Sequence, residues 1–175
     1  MEKQHTRDQL EALHAEAFAW AMHCSAGRRE QAEDLLQAVY LKVLQGKANY
    51  GGKSTFKTWL FSVIRLTAAD DRRKHALRRL GLLRYQPHAQ LTAIPSASPG
   101  QQALRQETHA DLHQALASLS KRQREVLHLV FYQDLTIEQA AQVMQISIGS
   151  ARQHYQRAKQ HMRAHLTREA ESNEH

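Results

Sequence analysis

Proline is absent from most of this chain and crowded into one part of it. Pro87, Pro95 and Pro99 all fall within "QPHAQLTAIPSASPGQQ", and no other proline occurs in the 175 residues. Proline offers no N–H to a helix and pushes the residue before it toward extended backbone, so this stretch reads as a linker. Glycine is also scarce, at 7, and forms no Asn-Gly hairpin pair. No segment sustains the apolar–polar alternation that a half-buried strand needs. The expected fold is therefore all-α: two small helical domains, residues 1–86 and 102–175, joined by a flexible linker over 87–101.

Apolar spacing of three and four divides both domains into helices. Thr6 and Gln9 make a capping box that opens a first helix, with Leu10, Leu13, Ala17 and Trp20 on one face and Ser25–Gly27 at its end. A second helix is predicted from about Arg29 to Gln45, its stripe being Ala32, Leu35, Leu36, Val39, Val43 and Leu44. The loop "GKANYGGKS" follows, and Ser54 is placed to cap a third helix carrying Phe56, Trp59, Leu60, Val63, Ile64 and Thr67. Beyond the linker, a helix from about Gln101 to Leu119 presents Leu104, Leu112, Ala115 and Leu116. Ser120 caps the next, with Val126, Leu127, Val130 and Phe131 inward. Thr136 and Gln139 form a second capping box over Ile137, Ala140, Ala141, Val143 and Met144. Ser147 caps the last helix, whose buried stripe is Ile148, Ala151, Tyr155, Ala158, Met162 and Leu166.

Charge narrows the function. There are 24 basic and 17 acidic side chains, a net +7 and a pI near 9.8. Nucleic acid is the first partner such a balance suggests, and an anionic membrane the second. The best apolar run, Val126 to Tyr132, is broken by His128 and is far too short for stable membrane insertion. The opening "MEKQHTRDQLE" lacks a signal peptide's apolar segment, and the single Cys24 excludes an internal disulfide. A cytoplasmic protein is expected. The positive charge is local: Arg72 to Arg84 carries six cations and no acid.

The last helix is the second such place. It carries Arg152, Arg157, Lys159 and Arg163 with no acid before Glu169. A helix built only to pack would mix its charges, with Glu four residues before Lys or Arg. Two short helices, a tight turn and a longer basic helix make a helix-turn-helix, whose second helix enters the major groove. Ala140 and Ala141 allow close helix approach, and Gly149-Ser150 keeps the second helix slim at its start. With the apolar stripe turned inward, Ser150, Arg152, Gln153, Gln156, Arg157 and Gln160 face out. Arg and Gln pair bidentately with guanine and adenine edges, while Ser147 and the helix N-terminus can meet a phosphate.

The segment "ALASLSKRQREVLHLVFYQDLTIEQAAQVMQISIGSARQHYQRAKQHMRAHL" resembles the promoter-binding domain of bacterial RNA polymerase sigma factors, most of all the extracytoplasmic-function (ECF) subgroup. "AEDLLQAVYLKVL" is similar to that family's polymerase-binding helix, and "FKTWLFSVIRLTAADDRRK" to its promoter-melting helix. The resemblance implies a sigma factor that directs core RNA polymerase to promoter DNA and assists its opening. It implies polymerase contacts around Asp34, Gln37, Tyr40 and Leu41. It implies capture of the −10 element by the first domain and recognition of the −35 element by the second, through Ser147, Ser150, Arg152, Gln153, Gln156 and Arg157. For the −10 element, Lys53, Ser54, Thr55 and Lys57 are expected near the separated strand, with Arg65, Arg72, Arg73 and Lys74 against phosphates. Stacking platforms beside cations are what single strands require; for Phe56 and Trp59 themselves, core packing is preferred. An anti-sigma factor is an expected partner from the resemblance. Three positions depart from the family pattern: Ala38, Leu66 and Gln145 stand where an acid, an asparagine and a glycine are usual.

Other readings are weaker. A stand-alone helix-turn-helix regulator would use the first domain as a sensor or dimerisation unit, but the Tyr50 to Trp59 stretch has the look of a single-strand contact. The twelve histidines include the i,i+4 pairs His109/His113 and His161/His165, yet neither has a third ligand nearby in sequence. Surface histidines are expected, with no metal and no cofactor. Nothing resembles a phosphate-gripping loop or nucleophile elbow, so no enzyme is expected.

Overall fold

The computed structural model describes residues 2–81 and 114–172. The linker expected over 87–101, the helix expected from 101 up to 113 and the pair His109/His113 lie outside the described residues, as does the side chain of Leu166. The described residues contain helices and no strand. In order these are α1 (Glu2–Ala12), α2 (His14–Cys24), α3 (Arg29–Leu44), α4 (Phe56–Arg79), a helical segment α5 over 114–118, α6 (Lys121–Leu127), a π-helical turn (His128–Tyr132), α7 (Ile137–Met144) and α8 (Ile148–Ser172). The chain divides into two compact units, one built from α1 to α4 and the other around α6 and α8.

In the first unit α2 packs on both α3 and α4, α3 packs on α4, and α1 lies against α3 and α2. The stripes expected from spacing supply the core: Leu10, Ala17 and Trp20 from the first pair, Ala32, Leu35, Leu36, Val39 and Val43 from α3, Phe56, Leu60 and Ile64 from α4. Phe61, absent from the expected stripe, is fully buried. Its ring stacks on Trp20, centroids 6.0 Å apart, and its carbonyl accepts the Trp20 indole N–H at 3.0 Å. Two start signals differ from expectation. Thr6 lies within α1, which begins at Glu2, and so does not open it. The α4 cap is Thr55 rather than Ser54: the Thr55 hydroxyl accepts the Thr58 N–H at 3.2 Å, from an extended backbone that Ser54's position one residue upstream cannot use for this helix.

In the second unit α6 packs on α8. Leu119, Leu127 and Ala158 form a buried cluster, with Leu116, Tyr155 and Met162 packed against it. Ser120 and Gln123 form a complete capping box on α6. Thr136 and Gln139 form the expected box on α7: each side chain bonds the other's backbone N–H, at 3.2 and 2.9 Å. The stripe of the α6 region departs from expectation. Phe131 is 61% exposed, and Leu129 is fully buried in its place. Leu129 lies three residues after the buried Val126 and four before the buried Gln133, so the inward stripe runs through it and leaves Phe131 on the opposite side.

Helix ends repeat one device. After α3, Gly46 adopts φ 69°, the Lys47 N–H bonds the Lys42 carbonyl and the Gly46 N–H the Val43 carbonyl. After α7 the same pair of bonds forms, Ile146 N–H to Ala141 and Gln145 N–H to Gln142, but the left-handed residue is Gln145 at φ 53°. The turn that usually takes glycine is thus kept, with a side chain strained into it. The left-handed backbone costs an L-residue roughly 1–2 kcal/mol, and glycine's freedom in the unfolded chain offsets roughly 0.4–1 kcal/mol. Gln145→Gly is expected to stabilise the protein by about 0.5–1 kcal/mol, read as a higher urea midpoint at unchanged slope. A lower midpoint would show that the Gln145 side chain contributes more than its backbone costs.

Candidate nucleic-acid interface

The recognition face of α8 is prepared by its first turn. Ser147 accepts the Ser150 N–H at 3.1 Å, and the two hydroxyls lie 2.8 Å apart. This cap leaves the helix N-terminus open toward an anion. Ala151 and Ala158 are buried, which turns Arg152, Gln153, Gln156, Arg157 and Gln160 to solvent, all of them exposed. Ser150 is half-buried, and Ile148, placed in the inward stripe by its spacing, is 45% exposed. Arg152 is paired: its Nη2 lies 3.4 Å from Oε1 of Glu138, on α7. Farther along, Lys159 sits over the Tyr155 ring at 5.2 Å, and Tyr155 stacks on the exposed Phe131.

In the first unit the loop before α4 brings Tyr50, Phe56 and Trp59 into one aromatic cluster, with centroids 5.2 to 5.4 Å apart. Phe56 is buried and Trp59 half-buried, so both pack the unit, while Tyr50 stays exposed and donates to the Ser54 carbonyl. Lys53 and Thr55 are exposed and Ser54 half-buried. Lys57 is bound within the fold: its Nζ is 2.7 Å from Glu16 and 5.7 Å from the Phe61 ring centre. Arg65 is half-buried. Arg72 donates to the Cys24 carbonyl at 3.0 Å, tying α4 to the end of α2. Arg73, Lys74, Arg78 and Arg79 are exposed on the outer half of α4, and Arg73 reaches Asp70 only at 3.8 Å. Leu66, at a departure position, is 40% exposed on the same helix.

The other surface lies on α3. Leu41 is 51% exposed, although its type would suit the core. Asp34 and Gln37 are exposed and Tyr40 half-buried; Ala38, a departure position, is half-buried. A groove of ≈ 430 Å³ runs here, lined by Gln37, Tyr40, Leu41 and Leu44 of α3 and by His14 and Phe18 of α2. The His14 Nδ1 and the Tyr40 hydroxyl are 3.1 Å apart. Burial pushes the Tyr40 phenol above its usual range, so it is a neutral hydroxyl here. His14 and Phe18 were not legible as part of this surface, because the periodicity of α3 carries no information about α2. Among the described residues no group of three or more His, Cys, Asp or Glu could hold a metal ion; His161 instead bonds Ser118 at 2.9 Å. No helix of the described residues is long and apolar enough to cross a membrane.

A basic chain of two helical units, one presenting a recognition helix with no acid before Glu169, defines a DNA-binding protein of the helix-turn-helix class. Residues 10–78 match the family described as Sigma-70 region 2, and residues 109–162 match Sigma-70, region 4. The chain is 30% identical over 139 residues to the ECF RNA polymerase sigma factor SigX of Bacillus subtilis, covering 79% of this chain and 72% of that one. It is 29% identical over 143 residues to the RNA polymerase sigma-H factor of Pseudomonas aeruginosa, covering 75% and 70%. It therefore belongs to the ECF sigma factors, which direct core RNA polymerase to promoters. Two solved structures share the fold. The sigma factor RpoE in complex with the anti-sigma factor NepR from Bartonella quintana superposes with a TM-score of 0.68 at 24% identity, over 94% of this chain and 98% of that one. CnrH in complex with the cytosolic domain of CnrY gives 0.61 at 19%, over 94% and 89%.

Proposed function

We propose that residues 1–86 bind core polymerase and hold the opened −10 element, that 87–101 link the two domains, and that residues 102–175 read the −35 element. The observation that carries this is the α8 face: Arg152, Gln153, Gln156 and Arg157 are all exposed beyond the Ser147 cap, on a helix without an acid before Glu169. Arg152 and the glutamines take base edges, and Ser147, Ser150 and Arg157 take phosphates. In the first domain Lys53, Ser54 and Thr55 lie along the separated strand, with Tyr50 as its exposed ring. Arg72, Arg73 and Lys74 neutralise phosphates, and Arg65 supports them from a half-buried position. Lys57, paired with Glu16, contributes by fixing the aromatic loop more than as a free cation. Catalysis belongs to the polymerase, and the protein acts in the cytoplasm with no cofactor of its own. Membership in the sigma-factor family favours this reading over a stand-alone regulator.

Asp34, Gln37, Tyr40 and Leu41 form the polymerase-binding surface, an apolar groove with a polar rim. The same groove suits an anti-sigma factor, the class of partner bound to the RpoE neighbour from Bartonella quintana. Transcription from a promoter library by core polymerase plus this protein tests the whole reading; core enzyme that gains no promoter preference overturns it. Leu41→Glu should weaken core binding about tenfold by setting a charge in an apolar contact. The fold should persist, because Leu41 is 51% exposed. Unchanged binding in a pull-down titration would move the polymerase surface off α3.

A further inference from the structure

Within the helix-turn-helix stands one ion pair that the recognition face does not itself require. Glu138 lies in the first turn of α7, Arg152 in the second turn of α8, and Nη2 comes within 3.4 Å of Oε1. Both side chains are open to solvent, at 60% for Arg152 and 52% for Glu138. The carboxylate is held in place from its own side. Its backbone N–H, then the Thr136 hydroxyl, then the Arg152 charge keep it below the usual carboxylate range. Thr136 is itself locked in its capping box with Gln139.

No other acid occurs between Glu138 and Glu169, so this is an isolated negative charge beside an otherwise cationic face. A carboxylate there opposes association with DNA of any sequence. It also does something for Arg152. An exposed arginine samples many rotamers, and one held by a fixed carboxylate keeps its planar N–H fork aimed before it binds.

Resting on the assignment of Arg152 to the −35 element, we propose that Glu138 is a positioning residue for Arg152. It aims the guanidinium at a base edge and withholds it from phosphates, so it raises sequence discrimination rather than affinity. The same charge rejects unrelated duplex.

The test compares wild type, Glu138→Gln, Arg152→Ala and the double variant, each as holoenzyme with core polymerase. Two quantities are read: the binding ratio between a preferred −35 sequence and its single-base variants, and the salt dependence of binding to an unrelated duplex. Glu138→Gln should lower the ratio about three- to fivefold at one base pair, in keeping with an exposed pair. It should also strengthen binding to the unrelated duplex and steepen its salt slope by about one ion, as the freed arginine takes a phosphate. In the Arg152→Ala background the same change should leave the ratio untouched. An intact ratio in Glu138→Gln, or an equal loss with and without Arg152, overturns the positioning role. If Arg152→Ala alone leaves every base preference intact, the −35 assignment of Arg152 falls and the inference falls with it.

Discussion

Trp20→Ala is expected to cost the first unit about 3–5 kcal/mol, most of a small domain's stability. The side chain is fully buried where α2 meets α3 and α4. Its ring stacks on Phe61 and on His23, at 6.0 and 5.1 Å, and its N–H is spent on the Phe61 carbonyl. Truncation therefore loses apolar transfer energy and dispersion together and leaves a cavity that three helices cannot all close. Trp20→Phe separates the components, because it keeps most of the ring packing and removes the donor. That change should cost about 1–2 kcal/mol. Amide hydrogen exchange on the full chain reads both, through lost protection in α2 and α4. Protection in α6 and α8 should hold, since that unit has its own core of Leu119, Leu127 and Ala158. Wild-type protection throughout in Trp20→Ala would mean that the α2–α4 contact is not what holds the unit together.

Arg152→Ala is the second large effect, and it should appear in recognition rather than in folding. A bidentate arginine–guanine pair discriminates against the wrong base by about 1–3 kcal/mol, so preference at one −35 position should flatten by roughly 5- to 150-fold. Stability should change by less than about 0.5 kcal/mol, as for exposed surface substitutions generally. The residue is 60% exposed, and its contact within the fold is the pair with Glu138. Selection of bound sequences from a randomised −35 library by the holoenzyme measures the profile directly. A profile identical to wild type excludes Arg152 from base readout, and a uniform weakening at every position assigns it to a phosphate.

Much of the fold was legible in one dimension. The core stripe of α3, most of that of α4, the Ser120 and Ser147 caps, the Thr136 capping box and the outward Arg152, Gln153, Gln156, Arg157 and Gln160 of α8 follow from spacing and local hydrogen bonding. Such features are decided within one helical turn, by neighbours three and four residues apart. The start of α4 at Thr55 was one residue off, within the range over which adjacent hydroxyls compete for the same cap. Phe131 was a larger miss. The inward stripe runs Val126, Leu129 and Gln133, and the polar type of Gln133 hides its continuation.

Residue order by itself determined that the described residues are helical, where α8 begins, and that Arg152, Gln153, Gln156, Arg157 and Gln160 reach outward, because periodicity along one helix divides buried from exposed. Only tertiary packing decided what stands opposite. It set His14 and Phe18 beside Tyr40 and Leu41 to make a groove, tied Lys57 to Glu16, and brought Glu138 within reach of Arg152. These contacts join separate helices. Their partners are chosen by how side-chain ridges interlock in three dimensions, which the spacing within either helix does not encode.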